Sequence, residues 1–326
     1  MNTIIADIKQ KAKSLKKHIL LPDATDERAI QAARIITDEK IATITLVGPQ
    51  TEILTKAKNL GVALDGINIV DPEESKDLES FIKIYYELRK SKGMTYEEAS
   101  KIMRRSLFFA AMMVREDLAD GSVAGSLSAT SDVLRAGIQI IGMPPEISVV
   151  SSFFLIVFPE KVYTFSDSGV VPDPTVEQLA DIAISASGNH RRLTGEDPRI
   201  AMLSFSTKGS ASHPKVEKVQ KATALVKQKR PDLIVDGELQ LDAAIVPEVA
   251  QRKAPGSPVE GKANVLIFPD LDAGNISYKL AQRMAGADAY GPIVQGLKKP
   301  FFDLSRGCSA DDIVTVTAIN VVAGAL

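Results

Sequence analysis

Short apolar runs alternate with stretches of helical periodicity along the whole chain. Ile19-Leu20-Leu21, Thr43 to Val47, Ile67 to Val70 and Ser122-Val123-Ala124 read as buried strands. Between them the spacing predicts helices over Asp26 to Ile36, near Glu52, over Asp77 to Lys90, over Tyr96 to Leu118 and from Ser131 to Ile141. The pattern resumes after Pro144-Pro145. Ile147 to Phe158 and Val162 to Phe165 are predicted as adjacent strands, followed by a helix over Val176 to Ser185 and a strand over Ile200 to Phe205. A charged helix over Lys215 to Gln228, strands at 233–235 and 265–268, and a helix over Asn275 to Met284 complete this half. Gln251 to Lys262, rich in Pro, Gly and Lys, is predicted as an exposed loop. The last helix starts at Ser309 and carries the apolar residues Ile313 to Leu326.

This alternation predicts an α/β protein, with parallel or mixed sheets sandwiched by helices. The length of 326 residues suits two domains. The break at Pro144-Pro145 places them at 1–146 plus 302–326 and at 147–301, the last helix returning to a discontinuous first domain. An interdomain cleft is then the default place for a site.

Charge narrows the partners. Lys plus Arg is 39 against 41 for Asp plus Glu, a net charge of −2, so neither nucleic acid nor an anionic membrane is called for. An anion site must come from local clustering. Cys308 is the sole cysteine, which excludes an intrachain disulfide and a cysteine metal site. His18, His190 and His213 lack ligand spacing. The stretch from Met1 to Lys17 has no continuous apolar core and is not a signal peptide, and Ile147 to Phe158 is too short to span a bilayer. A soluble, cytoplasmic protein is expected.

Four stretches share one design, in which a strand ends, hydroxyls or glycines follow, and a helix begins. Gly125 to Asp132, with Ser128, Thr130 and then Arg135, suits a phosphate through backbone N–H groups, hydroxyls and a guanidinium. A plain helix cap fits the same residues. Ser206-Thr207-Lys208-Gly209-Ser210 repeats the design with a lysine inside the turn. Gly274-Asn275 with Tyr278 and Lys279 is the third, and reads equally as a cap followed by a solvent-facing lysine. In the fourth, Ser305, Arg306 and Asp312 surround the start of the last helix. Ser309-Ala310-Asp311-Asp312 is also close to a capping box, so Asp312 is either a cap or a base. Arg89, Lys90 and Lys92 end a helix, a favourable place for positive charge. Neither a dinucleotide fingerprint nor a phosphate-loop motif is present.

Taken together, Thr130-Ser131-Asp132-Val133-Leu134-Arg135, Pro172 to Ala180, Ala273-Gly274-Asn275-Ile276-Ser277-Tyr278-Lys279 and Gly291 to Asp312 resemble the phosphate acetyltransferase family and its phosphate butyryltransferase relatives. The resemblance covers essentially the whole chain. It implies the two-domain fold of isocitrate and isopropylmalate dehydrogenases, a homodimer, and reversible acetyl transfer between acetyl phosphate and coenzyme A. It places the catalytic carboxylate on Asp312, its serine and arginine on Ser305 and Arg306, and substrate-binding arginines on Arg89 and Arg135. Ser128, Thr130, Ser206, Thr207, Asn275, Tyr278 and Lys279 are the further substrate-binding candidates. Coenzyme A and acetyl phosphate enter as substrates, and no permanently bound cofactor or metal is implied. Ser128-Ala129 and Phe301-Phe302 stand where relatives often read His-Ser and Val-Asn, departures that bear on the acyl chain.

The implied chemistry is attack by the coenzyme A thiolate on the carbonyl of acetyl phosphate. A free Asp titrates near about 3.9 and a thiol near about 8.5, so unaided proton transfer is uphill by roughly 6 kcal/mol. Desolvation must strengthen the base, or Arg306 must acidify the thiol, or both. An acyl-enzyme route through Cys308 is the rival mechanism and lacks a His partner. A butyryl-transferring relative, a non-catalytic acyl-CoA-sensing domain and a dehydrogenase on the same scaffold are the rival functions.

Overall fold

The computed structural model of the chain describes residues 3–325. It divides into two compact units, one built from the chain up to Gly142 and from Leu297 onward, the other from Met143–Gly296.

The first unit has a parallel sheet of five strands: β1 (His18–Leu21), β2 (Thr43–Val47), β3 (Asn68–Val70), β4 (Gly121–Ala124) and β11 (Phe301–Asp303), in the order β11-β4-β1-β2-β3. Its helices are α1 (Thr3–Leu15), α2 (Glu27–Asp38), α3 (Gln50–Leu60), α4 (Leu78–Arg89), α5 (Tyr96–Met103), α6 (Ser106–Arg115), α7 (Thr130–Ala136) and α13 (Ala310–Ala323). Ile19, Leu20 and Leu21 of the central strand are buried, and as side chains alternate along a strand they feed both faces of the sheet. Helix α13 is apolar all round and buried from Ile313 to Val322, as such a helix must be, packed on α1, α2 and β4. A second core joins Leu20, Val47, Ala124 and Phe301 to the apolar faces of α4 and α6.

Three expectations are corrected here. The helix predicted over Tyr96 to Leu118 is broken, because Arg105 turns extended and caps the start of α6. Arg104 pairs with Glu73 and Arg105 with Asp132, so two adjacent charges reach partners that one continuous helix would not offer both. The helix predicted to Ile141 ends as α7 at Ala136 and continues as a π turn over Gly137–Ile141. Residues 297–301 belong to this unit. Leu297 packs on its second core, Lys298 N–H donates to the Gly142 carbonyl at 3.0 Å, and Phe301 pairs with Ser122.

The second unit has a mixed sheet. Its strands are β5 (Ser151–Val157), β6 (Val162–Ser166), β7 (Arg199–Leu203), β8 (Ile234–Leu239), β9 (Val265–Ile267) and β10 (Asp288–Gln295), ordered β10-β5-β6-β9-β7-β8. The pairs β10–β5 and β5–β6 are antiparallel and the others parallel. Helices α8 (Val176–Thr194) and α9 (Pro214–Lys229) share a core with Ile200, Val235 and Val265. Phe154, Phe165, Leu266 and Phe268 form another core with residues of α10 (Leu241–Ile245), α11 (Pro247–Lys253) and α12 (Leu271–Arg283).

Helix α8 runs past the predicted end at Ser185 to Thr194, where Gly195 closes it at φ 78°. Ala186, Ser187, His190 and Leu193 continue its buried face, but two of them are polar and hide the period. The loop predicted over Gln251 to Lys262 is not uniformly exposed either, for α11 reaches Lys253 and both Ala254 and Val259 are buried. No helix among the described residues is long and apolar enough to cross a membrane.

Candidate active site

In the first unit the parallel strands β1, β4 and β11 deliver their C-terminal ends to one edge of the sheet, the usual place for a ligand in an open α/β sheet. From β11 the chain passes through Leu304 into the Ser305–Cys308 turn, closed by the Cys308 N–H donating to the Ser305 carbonyl at 2.9 Å. Helix α13 then starts on a complete capping box. Ser309 N–H and Oγ donate to Asp312 Oδ2 at 2.8 and 2.9 Å, and Asp312 N–H donates back to Ser309 Oγ at 3.1 Å. The cap reading of Asp312 is therefore realised. It uses one oxygen only; Oδ1 has no partner among the described residues, and the side chain is exposed.

Ser305 and Arg306 are exposed, and Ser305 Oγ accepts from the Gly307 N–H at 3.3 Å. Among the described residues the Arg306 guanidinium has neither an ion-pair nor a hydrogen-bond partner. Its backbone is nonetheless held. Arg28 Nη1 donates to the carbonyls of Arg306 and Cys308 at 2.8 and 2.6 Å, and Nη2 donates to the Ser126 carbonyl at 3.0 Å. Asp26, the N-cap of α2, grips Arg28 from the other side at 3.0 and 2.6 Å. Burial works to raise the Asp26 carboxyl, yet the hydrogen bonds from Arg28 hold it below the usual range. Cys308 is buried, and burial pushes its thiol up.

The loop after β4 departs from expectation. Its free N–H groups were expected to await a phosphate, but a buried carboxylate already fills it. Asp23 Oδ2 accepts from the N–H groups of Gly125, Leu127 and Ser128 at 2.8, 3.0 and 3.2 Å, and Asp23 Oδ1 accepts from Ser128 Oγ at 2.6 Å. Ser128 is thus engaged internally. Gly125 permits this at φ 108°, with an added Cβ only 2.5 Å from Asp303 Oδ1 and 2.3 Å from the Leu304 carbonyl. Thr130, at the start of α7, stays exposed. Asp303 is 3% exposed, its Oδ1 has no hydrogen-bond partner among the described residues, and burial, joined by the neighbouring Asp23, pushes it up to about 6.

A second cluster gathers arginines. Arg135 and Arg105 both donate to Asp132, and both lie over the Phe108 ring, 5.4 and 4.9 Å from its centroid. Arg89 joins them electrostatically around the buried Tyr85, and its Nε is buried without a partner among the described residues. Two guanidinium groups against one carboxylate leave an excess of positive charge. Arg135 is brought together with Arg105, which was missed by sequence reasoning. Its one signal is the Arg104-Arg105 pair interrupting an apolar helix.

In the second unit the loop after β7 repeats the surprise. Glu238, 2% exposed, accepts from Ser206 Oγ at 3.0 Å and the Gly209 N–H at 2.7 Å. Thr207 Oγ1 accepts from the Gln240 N–H at 2.8 Å, and Lys208 pairs with the buried Asp236. Ser206 and Thr207 are buried and engaged, not free for a phosphate. In α12, Asn275 Nδ2 donates to the Ser168 carbonyl at 3.2 Å, Lys279 Nζ donates to Asn275 Oδ1 at 2.8 Å, and Tyr278 stacks on Phe154 at 4.0 Å. Gly274 lets that helix lie against the Asp167 carbonyl, which an added Cβ would approach to 2.0 Å. Among the described residues no group of three His, Cys, Asp or Glu is arranged to hold a metal ion.

Comparison with known proteins gives this geometry a family. The sequence model described as Phosphate acetyl/butaryl transferase matches residues 3–321. The phosphate acetyltransferase of Acetivibrio thermocellus is 51% identical, over 98% of each chain. A phosphotransacetylase structure from Streptococcus pyogenes superposes with a TM-score of 0.95 at 41% identity, covering 99% of this chain and 98% of that one. A 4-hydroxythreonine-4-phosphate dehydrogenase from Burkholderia phymatum, 14% identical over 94% of this chain and 98% of its own, shares the fold alone at a TM-score of 0.57. The dehydrogenase-like α/β fold expected from sequence is therefore the observed one, and the chain belongs to the phosphate acetyl/butaryl transferase family.

Proposed function

We propose that the chain is a phosphate acetyltransferase, moving an acetyl group reversibly between acetyl phosphate and coenzyme A by direct attack in a ternary complex. The activity is that of its relatives over nearly full length. One observation carries the mechanism: the Ser305–Cys308 turn, held by Arg28, offers a guanidinium that is unpaired among the described residues, beside a helix start where Asp312 keeps one oxygen uncommitted among them.

In this reading Asp312 Oδ1 takes the thiol proton while Oδ2 stays on Ser309, so capping fixes the base rather than competing with it. The sulfur forms a bond to the carbonyl carbon. The carbon–oxygen bond to phosphate breaks, and phosphate leaves with the electron pair. Arg306 lowers the cost of the thiolate and then stabilises the developing oxyanion and the departing phosphate. Ser305 orients the carbonyl. Arg89 and Arg135 bind coenzyme A phosphates, with bidentate geometry suited to the task. Thr130 contributes to substrate binding in the first unit, and within the second unit Asn275, Tyr278 and Lys279 are separate candidates for binding a polar or anionic group. Ser128, Ser206 and Thr207 act by shaping their loops around Asp23 and Glu238, since their hydrogen bonds are already made. Guanidinium groups supply the positive charge for the transfer. The enzyme works as a cytoplasmic homodimer.

The test is phosphate-dependent loss of thioester absorbance with acetyl-, propionyl- and butyryl-CoA. Acetyl-CoA should give the highest kcat/KM. A preference for butyryl-CoA would move the chain to the butyryl-transferring branch, and coenzyme A binding without turnover with any of the three would overturn the enzymatic reading.

A further inference from the structure

Arg105 breaks a local rule. It stands at the N-cap of α6 in extended backbone, φ −79° and ψ 125°, and makes no side-chain hydrogen bond to the helix it opens. Asp26, Thr95 and Ser309 cap α2, α5 and α13, each through a side-chain oxygen. Arginine has no acceptor to offer, and its charge lies at the positive end of the helix dipole. A chain keeps so poor a cap where the side chain has other work.

The neighbours of Arg105 define that work. Arg104, one position back, is closed off in an ion pair with Glu73. Arg105 instead shares Asp132 with Arg135: Arg105 Nη2 donates to Oδ2 and Arg135 Nη2 donates to Oδ1, so both oxygens of the carboxylate are used. The two guanidinium carbons lie over the Phe108 ring, 4.9 and 5.4 Å from its centroid, and that ring is buried. Two cations on one ring repel each other, and one carboxylate offsets only one of them. Each guanidinium spends one nitrogen on Asp132. The remaining N–H groups have no partner among the described residues, and both side chains are nearly half exposed.

The pair stands at the end of the sheet where ligands bind. Helix α6 begins beside the end of β2: Ser106 Oγ lies 3.5 Å from the place a Cβ on Gly48 would take, and Gly48 follows the last residue of β2. Helix α7 begins from the loop after β4. Both helices therefore open at the C-terminal edge of the parallel sheet. Two guanidinium forks with one uncompensated positive charge suit a phosphate group.

We propose that Arg105 is a coenzyme A-binding residue, forming with Arg135 a two-guanidinium grip on one phosphate group of that substrate, with Asp132 and Phe108 holding the two forks side by side. The inference rests on the acetyl-transfer reading. The phosphates of coenzyme A are separated from its thiol by the whole pantetheine arm. The grip therefore binds ground and transition states alike, and its loss shows in KM and not in kcat.

The experiment measures acetyl-CoA formation from acetyl phosphate and coenzyme A, each varied in turn, in the parent protein, Arg105→Gln and Arg105→Lys. Arg105→Gln should raise KM for coenzyme A about tenfold, with kcat and KM for acetyl phosphate within about twofold of the parent. Arg105→Lys, which keeps the charge and loses the fork, should fall between the two. Pantetheine, which has the thiol and no phosphate, should react at the same rate with the parent and with Arg105→Gln, a result that a merely structural role would not give. An unchanged KM for coenzyme A in folded Arg105→Gln would overturn the proposal. So would a rise confined to acetyl phosphate, or an equal loss with pantetheine. Should Arg105→Gln fail to fold, an unchanged KM for coenzyme A in Arg105→Lys overturns it. Absence of turnover in the parent sinks the acetyl-transfer reading instead; calorimetric binding of coenzyme A, about tenfold weaker in Arg105→Gln than in the parent, then still decides the role of Arg105.

Discussion

Nη1 of Arg28 donates to the carbonyl oxygen of Arg306 at 2.8 Å, across 278 positions of sequence. The same side chain holds the carbonyls of Cys308 and Ser126, so one guanidinium ties the start of α2, the loop after β4 and the turn before α13 together. It does this through backbone oxygens, leaving the Arg306 side chain unencumbered. A displacement of about 1 Å at a reacting centre costs about 10²-fold in rate. Arg28→Lys, with a single ammonium in place of a planar fork, should lower kcat/KM by about that factor while the protein remains folded. Steady-state kinetics with a thermal melt checks this; full activity would show that the turn holds its shape unaided.

Asp312 and Ser309 separate capping from chemistry. Ser309→Ala removes the hydroxyl from the box and should cost about 1 kcal/mol in a denaturant titration, with kcat changed only a few-fold. Asp312→Asn keeps an oxygen for the Ser309 N–H but cannot take a proton. It should stay within about 0.5 kcal/mol of the parent in stability and fall about 10²–10⁴-fold in kcat. Comparable kcat in the two variants would reduce Asp312 to a cap.

Asp23 predicts an anion-dependent stability. Asp23→Ala leaves the N–H groups of Gly125, Leu127 and Ser128 unsatisfied in a buried loop, at a cost of about 3 kcal/mol. Consecutive N–H groups in such a loop form a ready cradle for an anion. Added sulfate should therefore raise the melting temperature of Asp23→Ala more than that of the parent. Equal shifts in the two proteins would show that the loop collapses when the carboxylate goes.

His190 predicts acid sensitivity of the second unit. Its ring is fully buried, with Nδ1 and Thr164 Oγ1 at 2.9 Å, and burial lowers its pKa to about 4 from the model-compound 6.5. The unfolded chain binds this proton more readily than the folded one. The stabilising contribution is present above about pH 6.5 and is lost as pH falls from there towards 4, by about 3 kcal/mol in all. His190→Gln, which does not titrate, should show a shallower fall in stability over that window. Parallel curves would place the acid sensitivity elsewhere.

Much of the molecule was legible from residues alone. The strand at 265–267 declares itself as a short uninterrupted apolar run, and Thr43 to Val47 as a β-branched one, each suited to a strand buried between helices. The capping box at Ser309 and Asp312 is local chemistry and is found where its spacing says. Resemblance pointed to the family, and the comparisons bear that out. The break at Arg105 and the continuation of α8 to Thr194 were not legible, since each depends on a partner distant in sequence or on a polar residue that happens to be buried.

The loops mark the boundary between the two kinds of information. Sequence by itself determined that Gly125 to Ser128 and Ser206 to Ser210 would each be donor-rich turns, suited to an anion or to a plain helix cap, because glycines and small hydroxyls precede a helix there. Tertiary structure alone decided that the anion is internal, Asp23 in one loop and Glu238 in the other. The carboxylates come from neighbouring strand ends, and only sheet order and register bring a strand end 102 positions away to within hydrogen-bond reach of the Gly125 loop. The same register buries Asp303 against Gly125. Which donors are spent and which carboxyl is left short of them is a property of packing, and no spacing along the chain encodes it.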